Sequence, residues 1–182
     1  MSKFIKTTTL EGLLILERPT LTDERGFFRE VFHFDELNEV LGWEFKPIQW
    51  NHSRSKPKVL RGQHGENWNK LIYPVSGKTF AAILDIRPDS ETFGKVENFH
   101  FDSQNRFALF IPKGFANSFC VIGEEDVDYL YLVDAYWDGT DTTAIAWDDP
   151  DTAIEWPISD PVISERDRNN PRLRELFPDR FK

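Results

Sequence analysis

A chain of 182 residues is long enough for one well-buried core, and nothing in it marks a second, so 1–182 reads as a single domain. The formal charge of -9 excludes a nucleic-acid-coating surface or a polybasic membrane patch, because phosphate affinity rests on clustered Lys and Arg; an anionic ligand must be met by a few local cations. The single cysteine, Cys120, excludes an internal disulfide, and the absence of an apolar run long enough for a signal peptide or membrane span points to a soluble, cytoplasmic chain.

An aromatic content of 14% with 11 Pro and 10 Gly favours strands and turns over helices. In chain order, residues 13–17 form a short apolar strand closed by Pro19, and residues 22–26 a polar turn. Residues 27–32 form a second strand in which Phe28, Glu30 and Phe32 share one face; a glutamate there needs a polar partner or a solvated edge. Asp35 caps a short helix through Leu41, and Gly42 supplies its left-handed stop. The next strand, 45–53, sets Gln49 and Asn51 on one face, as pocket donors or as the wet side of the strand.

The stretch 59–66 carries the most chemistry. An apolar strand opens onto Arg61, Gly62 and His64, a second glycine allows close backbone approach, and Lys70 begins the following strand. These groups can hold an anion and move its protons; the plain alternative is a surface arginine and a structural histidine. A long central strand over 78–87 follows, ended by Pro88, and then strands at 96–101, 106–111, 117–122, 128–133 and 143–147. Short strands at regular intervals without helical spacers indicate an antiparallel sandwich or barrel, an all-β fold with a few short peripheral helices. Cys120 sits in an apolar run with no cationic activator nearby in sequence, which fits buried filler better than a nucleophile. In 128–133 the alternation separates Tyr129 and Tyr131 from Leu130 and Leu132; with the leucines toward core or partner, the tyrosines either line a polar cavity or serve as large core or interface residues with a satisfied hydroxyl. The segment 161–182 is charged and holds one short terminal helix.

Taken together the motifs resemble the dTDP-4-dehydrorhamnose 3,5-epimerase family along nearly the whole chain. The matching pieces include Asp23-Glu24-Arg25-Gly26-Phe27-Phe28, Gln49 with Asn51-His52-Ser53-Arg54-Ser55, and Val59-Leu60-Arg61-Gly62 with His64. Asp85-Ile86-Arg87 with Ser90 and Thr92-Phe93-Gly94, Ile111-Pro112-Lys113-Gly114-Phe115-Ala116, Trp147-Asp148-Asp149-Pro150 and Ser164-Glu165-Arg166-Asp167 continue the family's order. The resemblance implies a cupin-like antiparallel jelly-roll barrel, a homodimer that exchanges an amino-terminal strand, and epimerisation of a nucleotide-linked 4-keto-6-deoxy sugar for cell-surface polysaccharide such as O-antigen, with no cofactor and no metal. By the same resemblance His64 is the proton acceptor, Asp167 the carboxylate that orients it, Tyr131 the opposite-face donor and Lys70 the cation beside the ketone oxygen. Arg25, Phe28, Glu30, Gln49, Asn51, Arg61, Asn117 and Arg166 become sugar, base and diphosphate contacts.

The chemistry independently asks for such a set. Hydrogens beside a ketone are acidic because the carbanion becomes an enolate, so inversion needs a base, a cation at the oxygen and an acid on the other face. Arg61 suits a diphosphate because its fork bonds two oxygens at once.

The chain departs from the family around the base. Gln63, Gly65, Glu66 and Trp50 stand where leucine, an aromatic, glutamine and aspartate are common. Asn117-Ser118 replaces a histidine-glycine pair, and Trp137 a second pocket tyrosine. The run is similar to branches acting on other nucleotide-activated 4-keto sugars, heptoses included. Competing readings are a ketoisomerase or sugar-nucleotide binding protein of the same fold, a metal-dependent cupin, disfavoured by 4 His of which His33 and His100 lie apart from His64, and a structural β-sandwich.

Overall fold

The computed structural model describes residues 2–138 and 143–182. Its strands are β1 Ile5–Thr7, β2 Leu14–Leu16, β3 Thr20–Asp23, β4 Gly26–Arg29, β5 Gln49–Ser55, β6 Leu60–Gly65, β7 Lys70–Pro74, β8 Thr79–Asp85, β9 Val96–Phe101, β10 Ala108–Ile111, β11 Phe115–Val121, β12 Val127–Val133 and β13 Thr143–Ala144. One sheet runs β1-β2-β10-β7-β12-β5, a second β13-β6-β11-β8-β9, and β3 with β4 forms a separate hairpin. The strand pairs are antiparallel, and two such sheets face to face make the cupin-like jelly roll of the expected all-β class.

The period-two alternation explains what each sheet buries. Ala81 and Ile83 of β8 point inward to meet Ile72, Leu109 and Tyr129 of the opposite sheet. Phe80 and Ala82 point outward, yet they too are buried, because the carboxy-terminal segment lays Trp156, Ile158 and Ile163 over that face. Every residue of β8 is therefore buried, as for a strand covered on both sides. Outside the six-stranded sheet, Leu37 and Phe45 pack on Leu14, Leu71 and Phe110. At about 25 cal/mol per Å² of apolar surface, covering both outer faces adds stability that a two-layer sandwich alone lacks. Cys120 is buried in the covered outer layer, and burial pushes its thiol up to about 12, as filler requires.

Several local expectations need correction. Helix α1, Phe34–Leu41, is entered through His33, and Asp35 lies inside its first turn with its carboxylate accepting, among the described residues, from the Glu36 N–H; Gly42 does end the helix at φ 73°. β4 stops at Arg29, so Phe28, Glu30 and Phe32 do not form one strand face; Phe32 packs edge-on to Phe34 at 4.9 Å instead. Leu130 and Leu132 do not face the main core: Tyr129 does, and the leucines lie half-buried on the outer side of their sheet. The tail carries two helical turns, α2 Glu165–Arg168 and α3 Leu173–Leu176, and a 3-10 turn at Pro178–Phe181, where one helix is expected. Strand β1 escapes the sequence reading because three residues are too few to show a period.

Candidate active site

Between the sheets opens a cavity of about 680 Å³. His64 reaches it from β6 in the five-stranded sheet; Lys70 from β7, Tyr131 from β12, and Gln49 and Asn51 from β5 approach from the six-stranded sheet. The two sheets are its opposite walls. Asp167 and Arg166 come from α2, which is brought to β6 by a parallel bridge between Val59 and Val162, with the Leu60 N–H donating to the Val162 carbonyl at 3.0 Å. Ser164 then caps α2 by accepting from the Asp167 N–H at 3.1 Å.

The resulting pair is His64 Nε2 and Asp167 Oδ1 at 2.8 Å, across 103 residues of chain. Burial alone would push the Asp167 carboxyl up, but the His64 hydrogen bond and charge, the Gly62 N–H and the Arg166 guanidinium bring it down to about 2. Arg166 also places a guanidinium nitrogen 2.8 Å from His64 Nε2. One nitrogen cannot both donate to a carboxylate and accept from a guanidinium. Asp167 is buried whereas the Arg166 side chain is 53% exposed, so the carboxylate keeps the bond; the proton sits on Nε2, and Nδ1 carries the basic lone pair. Gly62 lets β6 lie close against β11 just before His64. At φ 129° it adopts a conformation closed to other residues, and a Cβ there would lie 2.3 Å from the Ser118 Cβ.

On the facing wall, burial first and the Glu66 charge second raise the Tyr131 phenol, partly opposed by Arg61, so it is a protonated acid at neutral pH. The Lys70 Nζ lies 5.1 Å over its ring. Arg61 stands at the exposed rim, donating to Ser55 Oγ at 2.9 Å and to the Arg54 carbonyl at 3.3 Å. Gln49 Nε2 donates to Asn51 Oδ1 at 2.7 Å, and Asn117 lies opposite His64 in the β11–β6 register. A base held by a carboxylate, a phenol across the gap and an ammonium beside that phenol suit proton removal and return at carbons beside a carbonyl.

The family model described as dTDP-4-dehydrorhamnose 3,5-epimerase matches residues 7–175. The chain belongs to that family. This epimerase is 37% identical over 179 residues to the dTDP-4-dehydrorhamnose 3,5-epimerase of Methanothermobacter thermautotrophicus, with 95% of each chain covered. To the protein of the same name from Shigella flexneri it is 36% identical over 170 residues, 91% of this chain and 93% of that one. Among solved structures, a dTDP-6-deoxy-D-glucose-3,5-epimerase of Legionella pneumophila Philadelphia 1, in complex with dTDP-4-keto-L-rhamnose, superposes with a TM-score of 0.88 at 34% identity, covering 96% of this chain and 95% of that one.

The epimerase brings His64, Tyr131, Asp167, Lys70, Gln49, Asn51, Arg61, Asn117 and Arg166 around one cavity. Arg25, Phe28 and Glu30 it places elsewhere, on and just after the β3–β4 hairpin, outside the lining of the single chain. Arg25 pairs with Asp23, while Glu30 is engaged by Arg18 at 3.1 Å and His33 at 3.3 Å. Among the described residues no group of three His, Cys, Asp or Glu is placed to hold a metal, and no helix is long and apolar enough to cross a membrane.

Glu66, Trp68, Tyr129 and Trp137 also line the cavity of the epimerase. Glu66 Oε2 lies 2.6 Å from Lys70 Nζ with both side chains largely buried, so this cavity-lining cation has a counter-ion within the chain. Its signal in the sequence is the acid that replaces the family's common glutamine. At Gly65 a Cβ would lie 2.4 Å from the Ile86 Cδ1 and 3.2 Å from the Thr143 carbonyl oxygen, so a larger residue there requires the Ile86 side chain to turn away. The Trp137 backbone N–H donates to Gln49 Oε1 at 3.1 Å, and no sequence signal foretold that contact.

Proposed function

We propose that this epimerase inverts carbon 3, carbon 5 or both of a nucleotide-linked 4-keto sugar, a class that includes the dTDP-4-keto-L-rhamnose held by the Legionella protein. The observation that carries the reading is the His64–Asp167 pair facing the Tyr131 phenol across one cavity. His64 Nδ1 removes the hydrogen beside the ketone as a proton, and the C–H electron pair becomes the enolate at the carbon 4 oxygen. Lys70 steadies that oxygen. Tyr131 then gives its phenol proton to the opposite face of the same carbon, and the cycle closes as His64 releases the abstracted proton to solvent and Tyr131 recovers one. Arg61 and Arg166, at the exposed rim, take the diphosphate.

Incubation with 4-keto nucleotide sugars in heavy water tests this: deuterium appears at carbon 3, carbon 5 or both, and its absence from both ends the proposal. His64→Asn lowers exchange by at least ~10²-fold, the lower end of what a general base contributes. Tyr131→Phe keeps exchange and loses inversion, because the enolate still forms without its opposite-face donor. Undiminished turnover in both variants would show that the pair is wrongly chosen.

The working form in this reading is a cytoplasmic homodimer serving polysaccharide synthesis. Its support is the β3–β4 hairpin, which leaves Leu21 at 65%, Phe27 at 67% and Phe28 at 63% exposed in one chain. A partner chain would cover these side chains and bring Arg25, Phe28 and Glu30 to its own cavity. Light scattering that finds a monomer at micromolar concentration refutes it.

A further inference from the structure

The cavity carries polar atoms that the proton-transfer scheme leaves unused. Tyr129 Oη, Asn117 Oδ1 and Trp68 Nε1 are each buried with no hydrogen-bond partner among the described residues, and all three residues line the same space. Native proteins seldom leave such groups unpaired, because a buried donor or acceptor without a partner forfeits its hydration. Tyr129 is 1% exposed, and its ring is stacked on Phe119 with centroids 4.2 Å apart and planes 6° from parallel, so the hydroxyl cannot swing out to water. Burial raises the Tyr129 phenol and the neighbouring Asn117 side chain opposes it, which turns the amide N–H toward Tyr129 Oη; the phenol O–H and the Asn117 Oδ1 still lack partners of their own.

The chemistry of the three atoms narrows what they would hold. An indole N–H only donates, an amide oxygen only accepts, and a phenol does both. A phosphate or carboxylate would find one wasted acceptor, and a cation one wasted donor. A neutral hydroxyl, which donates and accepts, uses all three. Position narrows it further. Arg61 and Arg166 are exposed and mark the mouth, Tyr131 is half-buried, and Tyr129, two residues along the same strand, is buried. A sugar that enters with its diphosphate left at the mouth therefore turns the edge bearing carbons 3, 4 and 5 toward Tyr129.

Resting on the epimerase reading above, we infer that Trp68, Asn117 and Tyr129 form a neutral polar floor that binds a hydroxyl at the end of the sugar remote from its diphosphate. Lys70 serves the carbon 4 oxygen, so the hydroxyl is either that of carbon 3 or one on the exocyclic carbon attached to carbon 5. In the second case the preferred substrate is more hydroxylated than a 6-deoxy sugar, since a bare methyl would leave all three atoms unpaired.

The test is calorimetric titration of the full-length protein with unreactive sugar nucleotides, in dTDP-linked and GDP-linked series: glucose, 6-deoxyglucose and 3,6-dideoxyglucose. Within a series that binds, wild type loses at least about tenfold in affinity at one of the two deletions, because a site built to bond a hydroxyl rejects the analogue without it. Loss at the first deletion assigns the exocyclic hydroxyl, loss at the second the carbon 3 hydroxyl. Tyr129→Phe, which keeps the ring stack, brings that ratio to within about threefold while its melting temperature is maintained. Asn117→Leu does the same if Tyr129→Phe proves unstable. Wild-type affinities within twofold across a series overturn the floor, as does an unchanged ratio in both variants, which is the result expected if ordered water satisfies the three atoms. Deuterium incorporation separates the two readings: label in a 4-keto sugar with no hydroxyl discrimination leaves the epimerase standing without the floor, binding in neither series removes the floor alone, and no label at carbon 3 or carbon 5 removes both.

Discussion

Asp85 and Asp167 are both buried carboxylates held at about 2, and they do different things. In each, burial pushes the carboxyl up and hydrogen bonds more than reverse it. Asp85 takes all its side-chain bonds from the next seven residues: the Arg87 N–H at 3.0 Å, the Arg87 guanidinium at 2.9 and 2.7 Å, and the Ser90 and Thr92 hydroxyls at 2.6 Å each. That closed network ties the β8–β9 connection, and none of its members lines the cavity that His64 enters. Asp167 instead holds a histidine 103 residues away whose other nitrogen remains available for chemistry. A strongly held acid is therefore no mark of function by itself; the open space next to its partner is.

The sharpest way to break the comparison is to neutralise each acid in turn. Asp167→Asn loses roughly 10²–10³-fold in deuterium exchange, a share of what a positioned base contributes, because the amide can no longer stabilise an imidazolium. Asp85→Asn strands Arg87 beside a buried amide and costs about 3 kcal/mol, as when one partner of a buried pair is removed, which lowers the melting temperature by roughly 10 °C. The residual folded protein keeps its exchange rate. If Asp85→Asn loses exchange while remaining folded, the two networks are coupled and the distinction fails.

A smaller effect concerns pH. An unfolded aspartate takes up its proton near 3.8, above the value of about 2 held in the folded chain, so between these limits the unfolded state binds more protons. The stabilisation is complete above about pH 4 and is lost as pH falls toward 2. For Asp85, fully buried, this amounts to about 2 kcal/mol, and urea melts of Asp85→Asn should show a shallower fall in stability from pH 5 to 3 than wild type.

The smallest expected change sharpens the functional side of the comparison. Glu66→Gln removes the negative charge that helps hold up the Tyr131 phenol, so the basic limb of the inversion-rate profile moves to lower pH. Burial, the larger cause, is untouched, so the limb moves by less than the whole elevation of the phenol. An unmoved basic limb shows that Tyr131 is not the group titrating.

The sequence reading recovered β2 and the strands from β5 onward to within a few residues because alternation and turn residues are local properties. It missed where β4 ends, since Val31 and Phe32 are drawn from the extended run by packing under helix α1, and no local preference reports that pull. Glu66 was visible only as a departure from family habit, and Trp68 gave no signal at all. Hydrophobic period, glycines needing positive φ and the ordered motifs were enough to determine the jelly roll, the family and the residue types its chemistry uses. The family resemblance already implied that Asp167 meets His64; only the tertiary structure decided that Glu66 neutralises Lys70 and that Tyr129 is shut inside beside unpaired polar atoms. Those relations depend on which strands become neighbours across the two sheets, and distance along the chain does not encode distance through the fold.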